Sequence, residues 1–203
     1  MTKSGRHPAR TARLLLRDRR GIAMVEFGLT LPVLMILILI GMELTNYVVA
    51  HHRLRQIAAL TADNASRLRT QMSEAYVNQL FVGARKSGEN MNFERNGRII
   101  LSSIQNNTTG NGQWIRWQRC FGQLNVTSAL GPQNKGRSDR TLPTVDGLTA
   151  QPGSAIMFAE VAYNYTPLFP VSMFRNDRIS HKVAFIVRQR TDFSIAGTGA
   201  STC

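Results

Sequence analysis

The run from Gly21 to Met42, GIAMVEFGLTLPVLMILILIGM, constrains this chain more than any other stretch. As a helix, Ile22 to Met42 would extend about 31 Å at about 1.5 Å per residue, close to the hydrocarbon thickness of a bilayer. One such segment spans a membrane once. The ionisable side chain well inside it is Glu26, and a carboxylate in hydrocarbon costs on the order of 3 kcal/mol even on the lenient insertion scale. A residue that costly calls for a partner or a function. Pro32 removes one backbone hydrogen bond and predicts a kink or local loosening in the first third of the span, with Gly28 and Gly41 as further weak points.

The 203 residues carry a formal net charge of +13, which would ordinarily suggest nucleic acid. Its distribution argues otherwise. Lys3, Arg6, Arg10, Arg13, Arg17, Arg19 and Arg20 against Asp18 place +6 ahead of the span and leave +7 for the rest. Basic residues flanking a span stay on the cytoplasmic side, so residues 1–21 read as a cytoplasmic leader and 22–43 as a transmembrane helix. The remainder then lies outside, which in a bacterial envelope is the periplasm. The apolar run exceeds a secretory h-region and no A-x-A-like site follows Met42, so removal of the whole span is not expected.

Beyond the span, Leu44, Tyr47, His51, Leu54, Ala58, Thr61, Ala65, Leu68 and Met72 recur at three- and four-residue steps. This amphipathic stripe predicts that the span continues into a solvated helix, giving one helix of roughly fifty residues and a helical extension over 44–80. From Phe81, glycines and asparagines predict a turn, and 81–203 reads as β-rich. Four stretches carry strand character: 98–105 (RIILSSIQ), 113–121 (QWIRWQRCF), 156–166 (IMFAEVAYNYT) and 179–190 (ISHKVAFIVRQR). Residues 131–153 form a long loop, and 172–177 make a return. Turns rather than crossover helices between the strands predict an α+β fold, with a small antiparallel sheet of about four strands packed on the second half of the long helix.

The two cysteines are Cys120 and Cys203. In an oxidising compartment an even pair favours a disulfide, which would tie the tail to the second strand. Closing so long a loop stabilises by roughly 4 to 5 kcal/mol in the chain-entropy model. The alternative is two unrelated thiols.

The junction RDRR-G-IAMVEF is a basic run, a glycine, and an apolar helix with glutamate at its fifth position. It resembles the class III signal of type IV pilins and pseudopilins, and the run RRGIAMVEFGLTLPVLMILILIGMEL resembles the TadE-like family of the tight-adherence (Tad, or Flp) pilus apparatus. The residues that carry the likeness are Gly21, the Val25-Glu26-Phe27 triplet and Leu31-Pro32. More weakly, VAYNYTPLFP and IVRQR are similar to the family's C-terminal pattern.

The resemblance implies cleavage of the Gly21–Ile22 bond by a prepilin peptidase, and an assembly role for Glu26 and Phe27. It also implies sister pseudopilins, the major Flp-type pilin and the inner-membrane assembly platform with its ATPase as partners, beside the bilayer itself. Cleavage would expose the Ile22 amine one helical turn from Glu26, where ammonium and carboxylate stabilise each other far more than in water. An uncleaved anchor with Glu26 near the headgroups is the other reading of the same residues.

The remaining motifs are weaker. Adjacent His51 and His52 point to different faces of a helix and propose no metal site. Glu43 is expected to be solvated at the outer boundary. Trp114, Trp117, Arg116 and Arg119 resemble a single-strand nucleic-acid platform, but an extracytoplasmic strand reads better as core plus solvated face. No nucleophile elbow, HExxH or phosphate loop is present, so neither catalysis nor a cofactor is expected. Two functions remain: a pilus-assembly component acting through helix contacts, or a bitopic protein whose outer domain binds a ligand or the cell wall.

Overall fold

The structure, a computed structural model, describes residues 21–107, 112–169, 177–197 and 202–203. The basic leader, the tip of the first hairpin and most of the 172–177 return lie outside the described residues. The chain divides into two compact units, Met1–Leu44 and Thr45–Cys203.

Helix α1 covers Ile22–Arg67. Within the first unit its side chains from 22 to 42 are exposed throughout, and among the described residues it is the helix long and apolar enough to cross a membrane. The helix runs through Pro32. Pro32 offers no N–H to the Gly28 carbonyl, and the Thr30 hydroxyl donates to the Phe27 carbonyl at 3.2 Å.

In the second unit the expected stripe is buried from Leu54 to Ala65, with Tyr47 packed at its edge, while Leu44, the first position of the stripe, is 49 % exposed. The helix ends at Arg67 rather than near residue 80. Two contacts that sequence periodicity does not encode end it: the buried Arg190 guanidinium donates to the Ala65 carbonyl at 2.9 Å, and the chain then enters the two-residue strand β1, Met72–Ser73, which pairs in parallel with β6, Ile195–Ala196. A cation on the last carbonyls of a helix satisfies orphan acceptors and opposes the helix dipole.

Ser73 caps α2, Glu74–Ser87, by accepting from the Tyr76 N–H at 3.2 Å. Helix α2 thus continues past Phe81, and Gly83 interrupts nothing. After a short 3₁₀ turn and α3, Phe93–Asn96, come β2, Gly97–Asn106; β3, Gln113–Phe121; β4, Ala155–Asn164; and β5, Arg178–Ile186. They form one antiparallel sheet in the order β3-β2-β4-β5. The architecture is the expected α+β arrangement: a long N-terminal helix packed on four antiparallel strands.

Both faces of the central strands carry core. Ile99, Leu101, Met157, Ala159 and Val161 meet Ala50–Ala65 of α1 and Val77, Phe81 and Ala84 of α2. On the opposite face Ile104, Ile115, Ile156 and Phe158 lie under Leu130, Leu142, Val145 and Ala150 of the long loop. One bulge makes this possible: between the pairs Ser103↔Trp117 and Ile104↔Ile115, Arg116 is the extra residue. Without it Ile115 and Trp117 would share a face; with it, Ile115 joins the loop-side core and Trp117 the helix-side core.

The free edge of β3 is covered. The Ile115 N–H donates to the Lys135 carbonyl at 3.1 Å, the Asn134 N–H donates to the Ile115 carbonyl at 2.8 Å, and Thr202 bridges Arg119. Gly122, at φ +100°, turns the chain out of β3 where a Cβ would stand 2.3 Å from the Gly97 carbonyl oxygen.

Candidate functional site

The first candidate site is the start of α1. Gly21 immediately precedes the helix, and Ile22 and Glu26 stand four residues apart, hence on one face about 6 Å from each other. Glu26 is exposed, Phe27 is 62 % exposed, and from Leu31 to Met42 the exposed side chains are apolar, with Gly41 among them. A Cβ on Gly21, Gly28 or Gly41 would meet nothing within 4 Å, and none of the three has positive φ. Among the described residues, neither space nor backbone conformation asks for glycine at these positions. Small residues on an apolar helix let another helix approach closely.

The second region is the far end of β3 and the tail. Cys120 and Cys203 are bonded, closing a sequence separation of 83 residues with Cα atoms 5.0 Å apart. Beside them Arg119, expected on the solvated face, is 7 % exposed. The reason is its parity with Trp117 and Phe121, which turns it inward, where its Nε donates to both Glu74 carboxylate oxygens at 2.9 and 3.0 Å and its Nη2 donates to Glu74 as well. Glu74 is 6 % exposed and opens α2, so this buried ion pair ties the start of α2 to β3. Removing one partner of such a pair leaves an uncompensated charge. Arg119→Met is expected to destabilise the full-length protein by about 3 kcal/mol in denaturant unfolding, and Arg119→Met/Glu74→Leu to recover most of that loss.

The other residues of the supposed platform divide as expected between core and surface. Trp117 is 2 % exposed and its Nε1–H donates to the Phe193 carbonyl at 3.0 Å. Trp114 is half-buried beneath the Arg137 guanidinium, 5.4 Å from the ring centroid, and Arg116 Nη1 donates to Gln105 Oε1 at 3.0 Å. Glu43, expected to be solvated, is instead 5 % exposed.

His51 and His181 stack edge to face with centroids 5.4 Å apart, and His51 meets Tyr47 at 4.7 Å. His181 Nε2 is buried without a hydrogen-bond partner. Burial first, then His51 and Arg55, hold the His181 pKa below the ordinary imidazole value. The unfolded chain therefore binds the proton more readily, so the contribution of His181 to stability is present above pH about 6.5 and falls away as the pH drops below it. The melting temperature should decline from pH 7 to pH 5, with a shallower decline in His181→Gln.

The fold and exposed helix define a class: a single-pass, membrane-anchored α+β protein. Residues 21–63, from the glycine at the junction into the buried part of α1, match the family model described as TadE-like protein, the family that the junction residues resemble. The match covers 43 of the 203 residues. No curated protein and no solved structure matches it.

Proposed function

We propose that this protein is a minor pseudopilin or pilus-assembly component of the tight-adherence type IV pilus, held in the bacterial inner membrane with its N-terminus in the cytoplasm and its α+β domain in the periplasm. The observation that carries the reading is an uncovered apolar helix holding one carboxylate, Glu26, a single turn after a glycine junction. Prepilin peptidase cuts between Gly21 and Ile22, which removes the basic leader and frees an ammonium. In a bundle of such helices the Glu26 carboxylate of one subunit pairs with the amine of its neighbour and sets the axial register. Its contacts are with sister pseudopilins, the Flp-type major pilin and the assembly platform, and its role is structural rather than catalytic.

Support for processing comes from Gly21, a glycine that packing among the described residues does not require. Intact mass of protein extracted from membranes of cells expressing the Tad apparatus tests it. A chain beginning at Ile22 is expected. One still beginning at Met1 or Thr2 removes the processing step and leaves a plain anchor.

A further inference from the structure

On the sheet face turned away from α1, the loop-side core covers only one end. At the other end lies an open trough made of two adjoining cavities, about 600 and about 200 Å³, which share Arg98, Ile100, Val126 and Thr127 as lining. Strand register puts the side chains of Arg98 on β2 and of Arg178 and Lys182 on β5 on this same face. At about 4.8 Å per strand, β2 and β5 stand about 10 Å apart.

None of these three cations has a carboxylate partner among the described residues. Arg98 reaches only the Gly122 and Leu124 carbonyls, at 3.5 and 3.4 Å, and its Nε is buried with no partner. Arg178 donates to Asn164 Oδ1 at 3.1 Å. The carboxylate in the trough, Glu160, is already engaged, accepting from the Ser128 hydroxyl and from the Ala129 N–H at 2.9 Å. Lys182 stands opposite Glu160 in the strand register, so the trough sets three cations against one carboxylate that is already hydrogen-bonded, and its floor is net positive.

The wall of the trough is chain that lies outside the helices and strands. Asn125, Val126 and Thr127 alternate between exposed and half-buried, and their backbone N–H and C=O groups make no hydrogen bond among the described residues. Unpaired backbone beside a sheet is free to pair with an added strand.

We propose that this trough binds an extended acidic segment of a partner polypeptide, which pairs its backbone with residues 125–127 and lays carboxylate side chains over Arg98, Arg178 and Lys182. The free backbone favours a peptide over a bare anion, since a phosphate has no use for alternating donors and acceptors. Charge argues against a second copy of this chain: residues 45–203 hold 18 Lys and Arg against 9 Asp and Glu, a net +9, so two such domains repel. The proposal goes beyond the assembly reading and does not depend on it.

Full-length protein in detergent micelles, titrated with a fluorescent decapeptide alternating Glu and Thr, tests this by anisotropy. Saturable binding is expected, weakened about tenfold by Arg98→Gln and by Lys182→Gln. The Lys182 side chain makes no bond among the described residues, so Lys182→Gln keeps the test valid if Arg98→Gln unfolds. N-methylation of alternate peptide residues, which removes the N–H groups needed for strand pairing, should weaken binding at least about tenfold. Absence of saturable binding, equal affinity for the N-methylated peptide, or affinity unchanged in Lys182→Gln would overturn the proposal. So would complete displacement by millimolar inorganic phosphate, which would make this a small-anion site.

Discussion

Glu26→Gln should leave the protein folded and membrane-bound but abolish its assembly with other pilin-like helices. Glutamine has nearly the volume of glutamate and is easier to place in hydrocarbon, so a residue kept only for anchoring would tolerate the change or gain from it. Pairing with an ammonium is different. At about 6 Å and an effective dielectric constant of about 20, opposite unit charges attract by about 3 kcal/mol, or roughly two orders of magnitude in association. The exposed position of Glu26 on an otherwise apolar surface means that such a counter-charge comes from outside the described chain or from the amine freed at Ile22. Surface piliation in a deletion strain should return with the wild-type protein and fail to return with Glu26→Gln; full restoration by the glutamine variant would reduce the helix to a tether.

Removing the disulfide is the second large effect. In Cys120→Ala/Cys203→Ala the denaturant midpoint should fall by the equivalent of about 4 to 5 kcal/mol if the chain-entropy model holds for a bridge spanning 83 residues. Set against the roughly 5 to 15 kcal/mol that holds a typical domain folded, this is a large share. The bridge also keeps Thr202 on Arg119 at the edge of β3, so the variant should lose its tail to protease before the sheet unfolds. A midpoint identical to wild type under oxidising conditions would mean that Phe193, whose carbonyl accepts from Gln105 and Trp117, and the β1–β6 pair hold the tail unaided.

The four main strands were legible because β-branched and aromatic residues mark them: the expected 98–105 and 113–121 are observed as Gly97–Asn106 and Gln113–Phe121, whereas the expected 179–190 ends at Ile186, short of the Arg190 that reaches the end of α1. Their order was not, since four antiparallel strands joined by turns admit several arrangements and nothing local selects β3-β2-β4-β5. The end of α1 was illegible for a similar reason. The stripe through Leu68 and Met72 keeps helical spacing, but both lie beyond the helix: Leu68 is partly buried against the core, and Met72 is buried in a strand paired with residues more than 120 positions away.

At the candidate sites the local signals held where the chemistry is local. The Gly21–Ile22–Glu26 spacing reads directly off the sequence, whereas the buried roles of Arg119 and Arg190 depend on distant partners, Glu74 and the end of α1. Arg119 did leave one clue, its two-residue spacing from Trp117 and Phe121 in a strand whose other inward residues are large.

On the proposed function, the bare apolar half of α1 is an assembly surface. A cysteine at Leu37, 60 % exposed in the middle of that surface, tests it most directly by crosslinking in cells that make the pilus machinery. Adducts with other pilin-like helices are expected, and they should be lost when Glu26 is changed to Gln. Adducts to lipid or to the same chain alone would contradict it.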